Sequence, residues 1–251
     1  MPKVFLTFTK NIFLMNYTYA LIISIFALAS CNNTHNSKKD GPLNDAAHLQ
    51  DSLDNLDIRH KIANDNGFQN WKDVSELAFT FNVDRGDNHF ERSWIWHPKT
   101  ADVIMMSATD TLRYNRSKMD SNFMKTDGAF INDKYWLLAP FQLVWDEGIT
   151  VSEKQNVSAP LSKDTLNQLT IVYGNDGGYT PGDAYDFFYA EDYKIKEWNY
   201  RKENAEKPSM TTTWEDYENF EGLEIATKHT DSTGAFKLYF TNISVKKETK
   251  D

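Results

Sequence analysis

The sequence predicts an α+β domain, an antiparallel sheet of about ten strands with one helix ahead of it and one apolar helix in its middle. Three observations lead there. Apolar and polar residues alternate with period two from Leu77 through Val83, and again in shorter runs downstream. Clusters such as Gly174-Asn175-Asp176-Gly177-Gly178, Pro181-Gly182-Asp183 and Asp231-Ser232-Thr233-Gly234 place turns between those runs. Two stretches depart from the strand period: one before Asn66-Gly67 repeats at helical spacing, and one around Trp136 is densely apolar.

Taken in order, Leu49, Leu53, Leu56 and Ile62 recur with Asp51, Asp54, Asp57 and Arg59 between them. This spacing predicts an amphipathic helix over 45–64, stopped by Asn66-Gly67. Leu77, Phe79, Phe81 and Val83 then face one side of a strand, and Glu76, Ala78, Thr80 and Asn82 the other. Asp84-Arg85-Gly86-Asp87-Asn88 is turn chemistry. Beyond it Phe90, Trp94 and Trp96 share a parity that Arg92 breaks, and His97-Pro98 closes the strand. Val103–Met106 and Thr111–Tyr114 continue a meander. Asp127 can cap a helix within 122–144 that Pro140 interrupts or ends. The remaining extended segments are 149–157, 169–173, 184–189, 193–201, 209–217, 223–229 and 236–245. No linker or fixed-length repeat divides them, so residues 45–251 read as one domain.

Composition narrows the function classes. A chain that is 40% hydrophobic and 14% aromatic folds. A net charge of −9 argues against nucleic-acid binding, which needs a basic footprint. One cysteine rules out a disulfide framework and a multi-cysteine zinc site. No GxSxG, P-loop or dinucleotide fingerprint occurs. Of the histidines, His48 and His60 fall on the first helix, His89 and His97 at opposite ends of one strand, and His229 near a turn; none makes a ligand pattern such as HExxH. Asn175-Asp176-Gly177-Gly178 with Asp183 and Asp186 offers oxygen ligands but not the EF-hand spacing, and reads as a hairpin turn. Glu191-Asp192 and Glu215-Asp216 are neighbours on strands, so their side chains are expected on opposite faces. The expectation is a non-enzymatic protein without metal or cofactor.

The N-terminus carries an address. Lys3 and Lys10 precede the apolar run Ala20–Ala29, about ten residues and so about half a bilayer core at helical rise. Its length suits the h-region of a secretory signal. It ends in Leu28-Ala29-Ser30-Cys31, which resembles a bacterial lipobox. The expectation is a signal over 1–30, cleavage before Cys31, and acylation of that thiol with palmitate-type chains that hold the protein on a membrane. Residues 31–44 are polar and read as a tether. Asn32-Asn33 lacks the aspartate that retains many lipoproteins in the inner membrane, so the outer membrane is expected.

Four segments carry a family resemblance: Asn66-Gly67 leading into Trp71–Phe81, Phe130–Phe141, the hairpin-like Tyr189–Trp198, and Phe240–Val245. Their order resembles the LolA/LolB/LppX-type lipoprotein fold, in particular small Bacteroidetes-type lipoproteins of unassigned role. The resemblance implies a strongly curved antiparallel sheet, a half-open barrel, around a hydrophobic cavity partly plugged by helices, with lipid or acyl chains as ligand. The soluble carriers of that class have no anchor, whereas this chain carries the lipobox-like segment. That departure favours a membrane-tethered lipid-binding role over a shuttle.

With such a sheet, the stripes Leu77-Phe79-Phe81 and Phe90-Trp94-Trp96 would line its concave face, and Trp136, Leu137 and Phe141 of the central helix would point into the same space. These nine residues are the candidate ligand-binding set. Two arrangements are open to them: an apolar pocket for a hydrophobic small molecule or acyl chain, or a filled core. The second would make the protein an envelope interaction or scaffold lipoprotein with a partner that the sequence does not name. An envelope hydrolase is a third class, for which no nucleophile–base set can be named.

Overall fold

The computed structural model describes residues 56–176 and 179–248. Cys31, the signal, the tether and the first half of the predicted N-terminal helix lie outside the described residues. Within them α1 spans Ile58–Asp65, with Asp57 as N-cap accepting from the His60 amide at 3.1 Å. It stops at Asn66-Gly67 as the sequence predicts. Gly67 has φ +84°, and a Cβ there would fall 1.9 Å from the Gly222 carbonyl oxygen. Here the glycine serves both the left-handed turn and a close approach to the opposite strand connection.

Apart from short 3-10 turns, the remaining elements are antiparallel strands and one long helix. They run β1 (Val74–Arg85), β2 (Asn88–His97), β3 (Asp102–Met106), β4 (Thr111–Asn115), α2 (Met124–Trp145), β5 (Ile149–Ser158), β6 (Thr165–Tyr173), β7 (Ala184–Tyr189), β8 (Ile195–Arg201), β9 (Met210–Thr213), β10 (Glu215–Phe220), β11 (Leu223–Thr230) and β12 (Phe236–Lys247). The α+β class stands, but the strands form two sheets. One has the order β10-β11-β12-β1-β2-β3-β4, the other β5-β6-β7-β8-β9.

The expected strand over 209–217 is where the sheets part. It divides into β9 and β10 around buried Trp214, so that one extended run serves both sheets. Side chains stitch the seam: the Thr230 amide donates to Thr213 Oγ1 at 3.0 Å, and the Thr213 and Thr230 hydroxyls lie 2.9 Å apart. At Asp216 the backbone takes φ +55°, and Lys228 Nζ lies 2.9 Å from Glu215 Oε2 and 2.7 Å from Asp216 Oδ2. The expectation that these two acids point apart is corrected: a left-handed residue breaks the strict alternation and both reach one lysine.

Leu77, Phe79 and Phe81 of β1 are buried on one face, as the alternation requires. On the other face Thr80 and Asn82 are also buried, satisfied by Ser93 and Thr241. The β1–β12 register slips between Ala78 and Thr80, opposite Asn242 with φ +53°, a bulge of the kind that bends a strand pair. Arg92 does not break the β2 stripe but belongs to it. Its guanidinium lies 5.5 Å from the Phe81 ring, 5.2 Å from Phe90 and 5.8 Å from Trp94.

Helix α2 packs on both sheets. Phe130 meets Trp94 and Trp96 of β2, while Tyr135 and Trp136 meet Tyr185 and Trp198 of β7 and β8. Asp127 is not the N-cap: it sits in the first turn, fully buried, and accepts from Tyr114 Oη at 3.0 Å, Arg116 Nε at 2.8 Å and Tyr179 Oη at 2.5 Å. Asp133 is likewise buried, held by Arg92 Nη2 at 2.6 Å, Arg92 Nε at 2.5 Å and Trp94 Nε1 at 2.8 Å. Pro140 interrupts the helix rather than ending it, with Leu138 at φ −125°, ψ 26° marking the kink.

Candidate functional site

Two spacings on α2 separate core from cavity. Phe130, Asp133, Leu137 and Phe141 face the packed interior. Gly128, Ile131, Asn132 and Tyr135, at i, i+3, i+4 and i+7, face open space. That space is a cavity of about 1200 Å³. β1 contributes Phe81 and Val83 to its wall, β12 Phe236 and Leu238, β8 Trp198 and Tyr200, and β7 Tyr185. Exposed Asn88, His89, Phe90, Asp176 and Tyr179 mark where it meets solvent.

Of the nine predicted ligand residues, Phe81, Phe90 and Trp136 line this cavity. Leu77, Phe79, Trp94, Trp96, Leu137 and Phe141 do not; they are buried against one another and against Phe130 and Phe240 in the core. Sequence reasoning missed Ile131, Tyr135, Tyr185, Trp198, Phe236 and Leu238 on the wall. The signal for Ile131 and Tyr135 was available in their four-residue spacing on the central helix. Phe236 and Leu238 share the parity of Phe240, a two-residue stripe like that of β1. Which strand of the second sheet comes close could not be read before the two sheets were known.

Part of the cavity lining is a polar cluster of Lys134, Gln142, Asp146 and Tyr173. Lys134 is buried, with Nζ 5.4 Å from the Trp96 ring and 5.5 Å from Trp145. Gln142 turns its side-chain oxygen to Lys134 Nζ at 3.0 Å and its nitrogen to Asp146 Oδ1 at 3.3 Å. Asp146 Oδ2 in turn accepts from Tyr173 Oη at 2.5 Å. Burial pushes the Lys134 ammonium down to about 8, and the Arg116 charge works the same way against Asp146 and Asp127. Burial raises the Asp146 carboxyl, opposed by the Tyr173 hydroxyl and Lys134.

Behind the wall lies His229, fully buried among Trp136, Trp214 and Phe240; of the two expected alternatives, exposed or hydrogen-bonded, it takes the second. Burial pushes its pKa down to about 3, so the ring is neutral, with Nδ1–H donating to the Thr213 carbonyl at 3.1 Å. The Trp136 carbonyl also acts on this ring. That carbonyl is the one Pro140 leaves without a helical N–H donor. His89 is at the rim, where hydrogen bonds to Asp84 and then Glu91 raise its pKa.

The loop read as a hairpin turn is not assembled as a calcium site among the described residues. Asp183 is taken by Tyr200 Oη and the Glu203 amide, and Asp186 by Thr170 and Arg201. Among the described residues no group of three or more histidines, cysteines or acids is placed to hold a metal ion, and no helix is long and apolar enough to cross a membrane. What the arrangement can do chemically is enclose apolar surface: a room of aromatic and aliphatic walls with a buried amine and a carboxyl on one side.

No family model and no curated protein matches the chain. Among the solved structures similar to it are these two. A DUF1329 family protein from Desulfovibrio piger has TM-score 0.44 at 10% identity, covering 81% of this chain and 95% of that one. A domain assigned to outer membrane lipoprotein sorting, from Vibrio parahaemolyticus, has TM-score 0.41 at 9% identity, covering 70% and 87%.

Proposed function

We propose that this chain is a lipid-anchored cell-envelope protein that holds a hydrophobic ligand, a lipid or acyl chain, in the cavity beside α2, without catalysing a reaction on it. The observation that carries this reading is the cavity of about 1200 Å³ walled by Phe81, Ile131, Tyr135, Trp136, Trp198 and Leu238. Ligand pockets of small-molecule proteins run from about 300 to 1,000 Å³ and are mostly apolar, so the space suits a long or branched chain. Its driving force is apolar burial, about 25 cal/mol per Å² before the costs of association. In this reading the two sheets with α2 between them act as a half-open barrel with its plug. The leader over 1–30, the acylated Cys31 and the tether over 31–44 place the domain on the outer membrane.

The test is a purified 37–251 fragment exported to a bacterial periplasm and isolated without detergent. Native mass spectrometry is expected to show a stoichiometric adduct that extracts into organic solvent as lipid. A clean unliganded mass, with no uptake from added lipids, would overturn the reading in favour of a filled, partner-binding domain.

A further inference from the structure

We propose that the ligand of this cavity is an amphiphile with an anionic headgroup, a carboxylate or phosphate monoester, which is held by Lys134. The proposal rests on the hydrophobic-ligand reading and adds the chemistry of the ligand's polar end. Lys134 is 6% exposed, and it lines the cavity while its ammonium also lies against the core ring of Trp96. Among the described residues no carboxylate forms an ion pair with its ammonium, whose hydrogen-bond partner is the neutral Gln142 amide. This is unlike the other buried charges of the helix. Asp127 and Asp133 each have an arginine within 3 Å and an aromatic donor besides.

Buried ammonium groups are kept where a partner compensates their lost hydration. The fold supplies Lys134 with two aromatic faces and an amide, and leaves the side toward the cavity for an anion. Arg116 also lines the cavity and adds positive potential, although its guanidinium is committed to Asp127. The charged groups acting on Lys134 are Arg116, Asp146 and Asp127, and at neutral pH the ammonium form predominates. Apolar walls beyond it would take the chain, so headgroup and tail would both be recognised by side chains of α2 and the strands opposite.

The test uses the full chain in phosphatidylcholine nanodiscs, with three photoreactive C16 probes: hexadecanoate, hexadecyl phosphate and hexadecanol. Cross-links are mapped by peptide mass spectrometry, with empty nanodiscs as background. The wild-type protein is expected to label at cavity peptides with at least one acidic probe about tenfold more efficiently than with the alcohol, as a charge-assisted contact implies. Which acid wins distinguishes a fatty acid from a lipid phosphate monoester of the phosphatidate type. In K134M the preference is expected to collapse to near parity while labelling by hexadecanol persists. K134Q, which keeps a polar side chain, repeats the readout should K134M not fold. Equal labelling by all three probes, or a preference unchanged in either variant, overturns the anion assignment alone. Absence of cavity labelling by every probe overturns the hydrophobic-ligand reading and the assignment with it.

Discussion

His229 shows how one residue sets the pH response of the seam between the sheets. In the unfolded chain it takes a proton near 6.5, whereas in the folded protein burial holds that step down to about 3. Between those values the unfolded state binds more protons than the folded one, so stability falls as pH falls through the window, by about 1.4 kcal/mol per pH unit for one such group. Above 6.5 the histidine contributes no slope. The rim residue His89 acts in the opposite sense, its pKa being raised by Asp84 and Glu91, so the variant comparison isolates His229. Urea unfolding of H229F against wild type at pH 7, 6 and 5 is expected to show a flatter decline in the variant. Equal slopes would place the acid sensitivity elsewhere. Gly67 makes the complementary point about backbone. G67A forces a methyl group against the Gly222 carbonyl at a left-handed position, and is expected to cost more than the roughly 1 kcal/mol of an ordinary glycine-to-alanine mismatch. A melting temperature within 2 °C of wild type, the shift of a harmless change, would contradict it.

At the scale of elements, α2 is tied to the strands by buried ion pairs as well as by apolar packing. The Arg92–Asp133 pair ties β2 to the helix with a bidentate contact, the acid fully buried and the arginine side chain 21% exposed. Removing one partner strands a charge: D133L is expected to cost about 3–5 kcal/mol, while the double change R92M/D133L costs less than the sum of R92M and D133L. A double-mutant cycle by denaturant unfolding measures the coupling, and additive losses would mean the pair holds nothing together. Gly128 offers the converse. It sits inside the helix without positive φ, and a Cβ would meet the Tyr179 ring at 3.5 Å, an ordinary contact. G128A is therefore expected to stabilise by about 0.5–1 kcal/mol in the same assay. These elements also show what was legible beforehand. Period-two alternation located β1 and β2, and the apolar density around Trp136 located α2. What could not be read was pairing between distant residues. Asp127 looks like a cap until Tyr179 is seen beside it, and Arg92 like an interruption until Asp133, 41 residues on, is seen beside it. The N-cap role failed because a buried carboxylate facing an arginine and two tyrosine hydroxyls gains more there than at a solvent-facing helix end.

For the whole molecule, the question posed by an aromatic-rich sequence was whether its rings enclose a space or fill one. Both occur, on opposite sides of α2, and the partition follows the helical period rather than the strand stripes. Phe79, Trp94 and Trp96 share their stripes with Phe81 and Phe90, yet only the latter two reach the cavity. A strand stripe runs the length of a sheet, whereas the helix covers only part of it. Side chains under the helix become core and those beyond its edge become wall. The proposed function therefore predicts that stability and uptake separate by helix face. I131W adds bulk on the cavity side, where Ile131 borders open space, and is expected to leave the melting temperature within a few degrees while lowering lipid uptake about tenfold. L137A removes a side chain only 2% exposed on the core side, and is expected to cost about 2–5 kcal/mol while uptake per folded molecule stays near wild type. Thermal unfolding together with uptake of a fluorescent fatty-acid analogue, both on the 37–251 fragment, reads the two quantities in one preparation. If I131W instead unfolds like a core variant, or L137A loses uptake while folded, the two faces of α2 are not functionally distinct. The cavity would then be slack in the packing rather than a site.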